Sequence, residues 1–100
     1  MKLVNLSPED RALEEVRRGE LGQQVLNNEL FKEYMITSRG DLLLAMENSK
    51  FKEHDERDEI WRKLQTLNKL EQHFTRAMQT GIMGSQELSR LQKLKNLIRR

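Results

Sequence analysis

"EIWRKLQTLNKLEQHFTRAMQTGIMG", Glu59 to Gly84, is the stretch on which the fold turns. Ile60, Leu64, Leu67, Leu70, Phe74, Ala77 and Met78 recur at steps of three and four. That spacing stacks side chains along one edge of an α-helix and, when sustained, forms a coiled-coil-like seam. It predicts a helix over about 55–80 as the spine of the fold, with Ile60, Trp61, Leu64, Leu67, Leu70 and Phe74 as core and interaction residues and Trp61 beside the seam. At its far end "TGIMG" reads as a stop, because Gly81 suits the left-handed conformation of a helix C-cap. Ser85 then opens a basic fourth helix over about 85–99. Leu88, Leu91, Leu94, Leu97 and Ile98 share one broad side of it, with most of its cations opposite.

The near end of the spine, "HDERDEIW" from His54 to Trp61, is the most chemical-looking run in the chain. Two readings compete. With Asp55 as N-cap, the acids Glu56, Asp58 and Glu59 fall in or near the first turn, where they meet unpaired N–H groups and the positive end of the helix dipole. Asp58–Arg62 and Glu59–Lys63 are then acid-before-base pairs four residues apart. The sharper alternative makes His54 and Asp58 half of a metal site, which requires both to lie inside the helix. His73, the other histidine, is about five turns away. The helix start accounts for every acid in the run, and no metal or other cofactor is expected.

Working towards the N-terminus, "SPED" (Ser7 to Asp10) is a helix start: a serine cap, a proline at the first helical position and an acid three residues after the cap. Ala12, Leu13 and Val16 follow at helical spacing, and the helix is expected to run over 8–26. Gly19 and Gly22 each weaken it by about 1 kcal/mol relative to alanine, but Val25 and Leu26 beyond them still need burial. Asn27-Asn28 reads as a junction to a second helix over 28–48, which Asn48 and Ser49 end. Phe31, Tyr34, Met35, Leu42, Ala45 and Met46 fall on one side of that helix. Ile36, Leu43 and Leu44 spill onto others, near Gly40. Because a surface helix ordinarily keeps one apolar stripe, this one is covered on two sides. Ile36, Gly40, Leu43 and Leu44 are therefore a candidate second interface, the plain alternative being a central helix within one monomer.

Composition agrees. Ala, Glu, Lys, Leu and Arg fill 49 of 100 positions and there is one proline, which favours long helices. The expected architecture is an all-α bundle of three main helices plus the basic C-terminal helix. It forms a single domain, residues 1–84 as its body and 85–100 as the basic amphipathic helix of the same domain. Only five residues are aromatic against 34% charged, lean for a monomer that must bury its own core. With no cysteine, disulfides, thiolate catalysis and cysteine-type zinc sites are excluded. No signal peptide or membrane-length apolar run is read, so no membrane insertion is expected.

Two further motifs need weighing. "GIMG" (Gly81 to Gly84) resembles the GXXG loop of KH domains, which clamps nucleic-acid backbone. No segment alternates at strand period to supply that fold's sheet, so a helix–turn–helix connector is the expected role. The segment "SRLQKLKNLIRR" carries Arg90, Lys93, Lys95, Arg99 and Arg100, candidates for contact with nucleic acid or an acidic partner. The plain alternative is a last helix folded onto the bundle with cations at its own C-terminus. No serine has a readable base and orienting group, so an enzyme is not expected.

The runs "RRGELGQQVLNNELFKEYM" (Arg17 to Met35) and "DERDEIWRKLQTLNKLEQHF" (Asp55 to Phe74), followed by Thr80-Gly81, together resemble a group of small helical proteins encoded by tailed bacteriophages. The positions that carry the likeness are Arg18, Gly19, Leu26, Asn27, Phe31, Asp55, Arg57, Asp58 and Trp61. Asn28-Glu29 stands where the group has a proline, and "FKEH" replaces a Thr/Pro-rich connector. The likeness covers about two thirds of the chain and implies no catalytic residue. It implies a phage gene product, made with head, packaging or ejection proteins and located in the host cytoplasm or the virion.

These readings converge on a non-enzymatic interaction protein that self-associates through helical faces or binds other phage proteins. The alternatives are a DNA- or RNA-binding accessory using the basic C-terminal helix, and a small phage inhibitor of a host protein.

Overall fold

The computed structural model describes residues 7–49 and 54–98, which form three helices: α1 (Pro8–Asn27), α2 (Glu29–Asn48) and α3 (His54–Ile98). The starts and stops of α1 and α2 have local causes. Ser7 accepts the Asp10 N–H at 3.1 Å, and Pro8 opens α1 where no N–H is needed. Asn28 alone separates α1 from α2. Its backbone is extended (φ −67°, ψ 128°), its N–H closes α1 on the Val25 carbonyl at 3.1 Å, and its side chain caps α2 by accepting from Phe31 N–H at 2.9 Å. Ser49 closes α2, its N–H and its hydroxyl both reaching the Met46 carbonyl.

The largest departure from expectation is at "TGIMG". There is no C-cap and no fourth helix: α3 runs 45 residues without interruption, about 67 Å at 1.5 Å per residue. None of the described glycines has a positive φ. Neither a helix–turn–helix connector nor a KH-like loop exists there, and residues 85–98 belong to the spine. Gly81 and Gly84 are small for a different reason. They are buried, and they lie against α1 at the level of Gly19 and Ala12.

The clasp this makes is built of backbone. A Cβ on Gly19 would stand 2.8 Å from the Cα of Gly81 and 3.0 Å from the Ala77 carbonyl oxygen. One on Gly22 would stand 2.9 Å from the Phe74 oxygen, and one on Gly84 2.9 Å from the Ala12 oxygen. Approach this close lets Cα–H groups meet facing carbonyls and gives dense backbone packing, which offsets the helix-propensity cost of four glycines. The signal was present in the sequence as two matched pairs, Gly19-x-x-Gly22 and Gly81-x-x-Gly84. In the antiparallel pairing of α1 with α3, Gly19 meets Gly81, while Gly22 faces Phe74, Ala77 and Met78 and Gly84 faces Ala12 and Glu15.

α1 and α2 lie end to end, antiparallel to α3, so the molecule is a long hairpin with one broken arm, 73 × 28 × 20 Å. The rings of Phe31 and Phe74 meet edge to face at 5.7 Å where α1 hands over to α2. Beyond that point the packing uses side chains. Met35 of α2 and Ile60, Leu64 and Leu67 of α3 are buried, and Phe74 is half-buried.

Two expected seam residues fall outside the core: Leu70 is 40% exposed and Trp61 57%. The buried edge continues from Leu67 through Glu71 to Phe74, which turns Leu70 onto one flank and Trp61 onto the other. Tyr34 is likewise exposed, at the margin of the face that Met35 and Leu42 present to α3. Leu94, Leu97 and Ile98 are exposed because α3 continues past the level of Pro8, where α1 begins.

The radius of gyration, 20.4 Å, compares with about 13 Å for a compact domain of this length. The expected bundle is thus an all-α hairpin, elongated and thin in core.

Candidate interaction surface

α2 carries the most apolar exposure for its length. Ile36 is 72% exposed, Leu43 53% and Leu44 56%, and Leu30 and Tyr34 add to the opposite flank. Lys32, Ile36, Arg39, Gly40, Leu43 and Glu47 recur at steps of three and four, so they form one stripe along the helix. Arg39 fixes where that stripe lies. It donates to the Asn68 side chain at 3.1 Å and approaches the Glu71 carboxylate at 3.7 Å, so this flank of α2 adjoins the Asn68 flank of α3.

Trp61 lies seven residues before Asn68 and four after Arg57, on the same stripe of α3. Arg57 in turn lines a shallow groove with Gly40, Leu43, Leu44, Met46 and Glu47. Ile36, Leu43 and the exposed Trp61 therefore share one side of the rod. The expected second interface (Ile36, Gly40, Leu43, Leu44) and Trp61 thus lie on one flank of the rod, whereas Ile60, Leu64 and Leu67 are buried and Phe74 half-buried. Sequence reasoning assigned Trp61 to the spine because its periodicity is nearly that of the seam. Its i, i+7 relation to Asn68 and its pairing with the α2 stripe appear only once the helices are docked.

Gly40 differs from the four glycines of the clasp. A Cβ there would meet nothing within 4 Å. Mid-helix, a glycine costs about 1 kcal/mol relative to alanine, and here no contact among the described residues offsets it.

The basic end of α3 is differently arranged. Arg90 donates two hydrogen bonds to Glu87, and Lys95 reaches Glu9 of α1 at 2.6 Å. The Arg90 guanidinium holds the Glu87 carboxyl below its ordinary pKa, chiefly through its hydrogen bond, and Glu87 raises that of Arg90. Of the expected contact residues, Lys93 makes no ion pair among the described residues, while Arg99 and Arg100 lie outside them. Glu14 and Arg17 make an analogous pair on α1, again lowering the glutamate's pKa through the hydrogen bond.

At the start of α3 the helix begins at His54, so Asp55 is a first-turn residue and not the cap. Residue 53 and the rest of the connector lie outside the described residues. Glu59 pairs with Lys63 at 3.3 Å as expected, whereas Asp58 and Arg62 do not pair. His54 and Asp58 do share a helix. Yet no group of three or more metal-ligating side chains occurs among the described residues, and His73 lies about 28 Å further along α3. Among the described residues no helix is long and apolar enough to cross a membrane.

No protein-family model, curated protein or solved structure matches the chain.

Proposed function

We propose that this protein is a non-enzymatic interaction protein that works by self-association through its helical faces. The observation that carries this reading is the surplus of surface. The accessible area is 8371 Å², against about 6000 Å² for a compact monomer of 11.9 kDa. The excess is roughly 2400 Å² per chain, ample for the ~800 Å² that each partner gives up in a specific interface. Ile36, Leu43, Leu44 and Trp61 are all more than half exposed. Covering such surface yields about 25 cal/mol per Å² before the costs of association. Charged flanks then select the partner. The likeness to small helical proteins of tailed phages supplies the context, an assembly component made alongside head, packaging or ejection proteins.

A nucleic-acid accessory role has less support, since Arg90 and Lys95 already face carboxylates of their own chain. Light scattering across micromolar concentrations tests the main reading. A mass of twice 11.9 kDa or more is expected; a strict monomer at every concentration overturns it.

A further inference from the structure

We infer that the occupant of the α2 flank is a second copy of this chain, its α2 antiparallel to the first about a two-fold axis between Arg39 and Gly40. This rests on the self-association reading and deepens it by naming the face, the partner and the orientation.

The two ends of the stripe carry opposite charge. Lys32 stands at one end and Glu47 at the other, both exposed and neither in an ion pair among the described residues. Lay a second α2 on the first in parallel and Lys32 meets Lys32 while Glu47 meets Glu47. Reverse it about the midpoint and each Lys32 faces a Glu47, twice per dimer. The same reversal sets Ile36 against Leu43, also twice. The stripe is thus complementary to itself in one orientation and repulsive in the other, as a two-fold interface requires.

The centre of the stripe agrees. With the axis between Arg39 and Gly40, the residue nearest each Gly40 is Arg39 of the other copy. Arg39 is already drawn against its own Asn68 and Glu71, and the missing Cβ of Gly40 leaves room for its stem. Among the described residues, four of the five glycines mark places where another backbone comes close, and Gly40 alone has nothing facing it. A second chain gives it the role the others already have. Trp61, on the α3 stripe of the same flank, supplies an aromatic anchor at the edge of the patch.

Charge reversal and cross-linking test this together. Lys32→Glu sets like charges together at two sites and is expected to weaken dimerisation about tenfold at low salt. Adding Glu47→Lys to it should bring the affinity back to within about threefold of the unaltered chain. Because the chain has no cysteine, Lys32→Cys with Glu47→Cys introduces two thiols about 22 Å apart within one helix, each facing its counterpart in the other copy, and mild oxidation should yield a covalent dimer. Circular dichroism verifies that each variant folds, which the exposure of both positions favours. A dimer that Lys32→Glu leaves unweakened, or that the paired cysteines do not cross-link, overturns the α2 interface while self-association stands. A chain that is monomeric throughout overturns both.

Discussion

At the level of single residues, glycine carries two opposite meanings in this chain, and one substitution separates them. Gly81→Ala gains about 1 kcal/mol of helix propensity. It also places a methyl group 2.8 Å from the Gly19 Cα, a contact only helix separation can relieve. Overpacking of that kind costs about 1–3 kcal/mol, so net destabilisation by up to about 2 kcal/mol is expected. Gly40→Ala, with open space around it, should stabilise the monomer by about 0.5–1 kcal/mol. Urea melts at concentrations below association check both signs, and agreement in sign between the two would refute the clasp.

The ion pairs give a smaller effect. Glu14 and Glu87 have folded pKa values below the ordinary 4.5 because Arg17 and Arg90 hydrogen-bond their charged forms. A group whose folded pKa is depressed contributes stability that is present above its unfolded pKa and is lost as pH falls through the folded value. The contribution therefore disappears only on the acid side of about pH 4.5, and solvent exposure keeps it small. NMR titration should place both carboxyl midpoints below 4.5 and return them towards it in Arg17→Gln and Arg90→Gln.

At the level of helices, the ends that sequence predicted well are those with local causes. Ser7-Pro8, Asn28 and Ser49 each satisfy backbone groups within a few residues of themselves, so their chemistry is visible without knowing the fold. The false stop at Gly81 has the reverse character. A glycine there is locally a breaker, and only the arrival of α1 across the interface makes it a packing residue. The same limit explains Leu70 and Trp61, which periodicity places near the seam and docking turns to the flanks. The candidate surface was legible in part: Ile36, Gly40, Leu43 and Leu44 stand out along α2 alone, but their union with Trp61 depends on how two helices sit side by side.

Two substitutions probe the elements. Asn28→Ala removes the acceptor for Phe31 N–H and should cost about 1 kcal/mol, measurable by thermal melting. Leu67→Asp puts a charge at a position that is 8% exposed, and burying it unpaired should unfold the hairpin. A native melt for that variant would show that the α2–α3 packing is wrongly placed.

At the level of the molecule, length becomes the readout. Asn68, level with Arg39, lies about 21 Å from the start of α3 and about 45 Å from its end. A two-fold axis there overlaps the halves that bear α2 and leaves the clasped ends pointing outward. The dimer is then longer than its monomer, roughly 90 Å against 73 Å. Small-angle scattering distinguishes this from a side-by-side dimer, whose maximum dimension would stay close to that of the single rod.

The contrast between the two arms has a thermodynamic corollary. The clasped half of the hairpin is locked backbone against backbone, whereas the half bearing the α2 stripe rests on a few side chains. Its amides should open at lower free energy, and a partner seated there would tighten what is already the softer end. Association should thus release heat and cost entropy beyond what rigid surfaces of equal area would, a signature titration calorimetry can read directly.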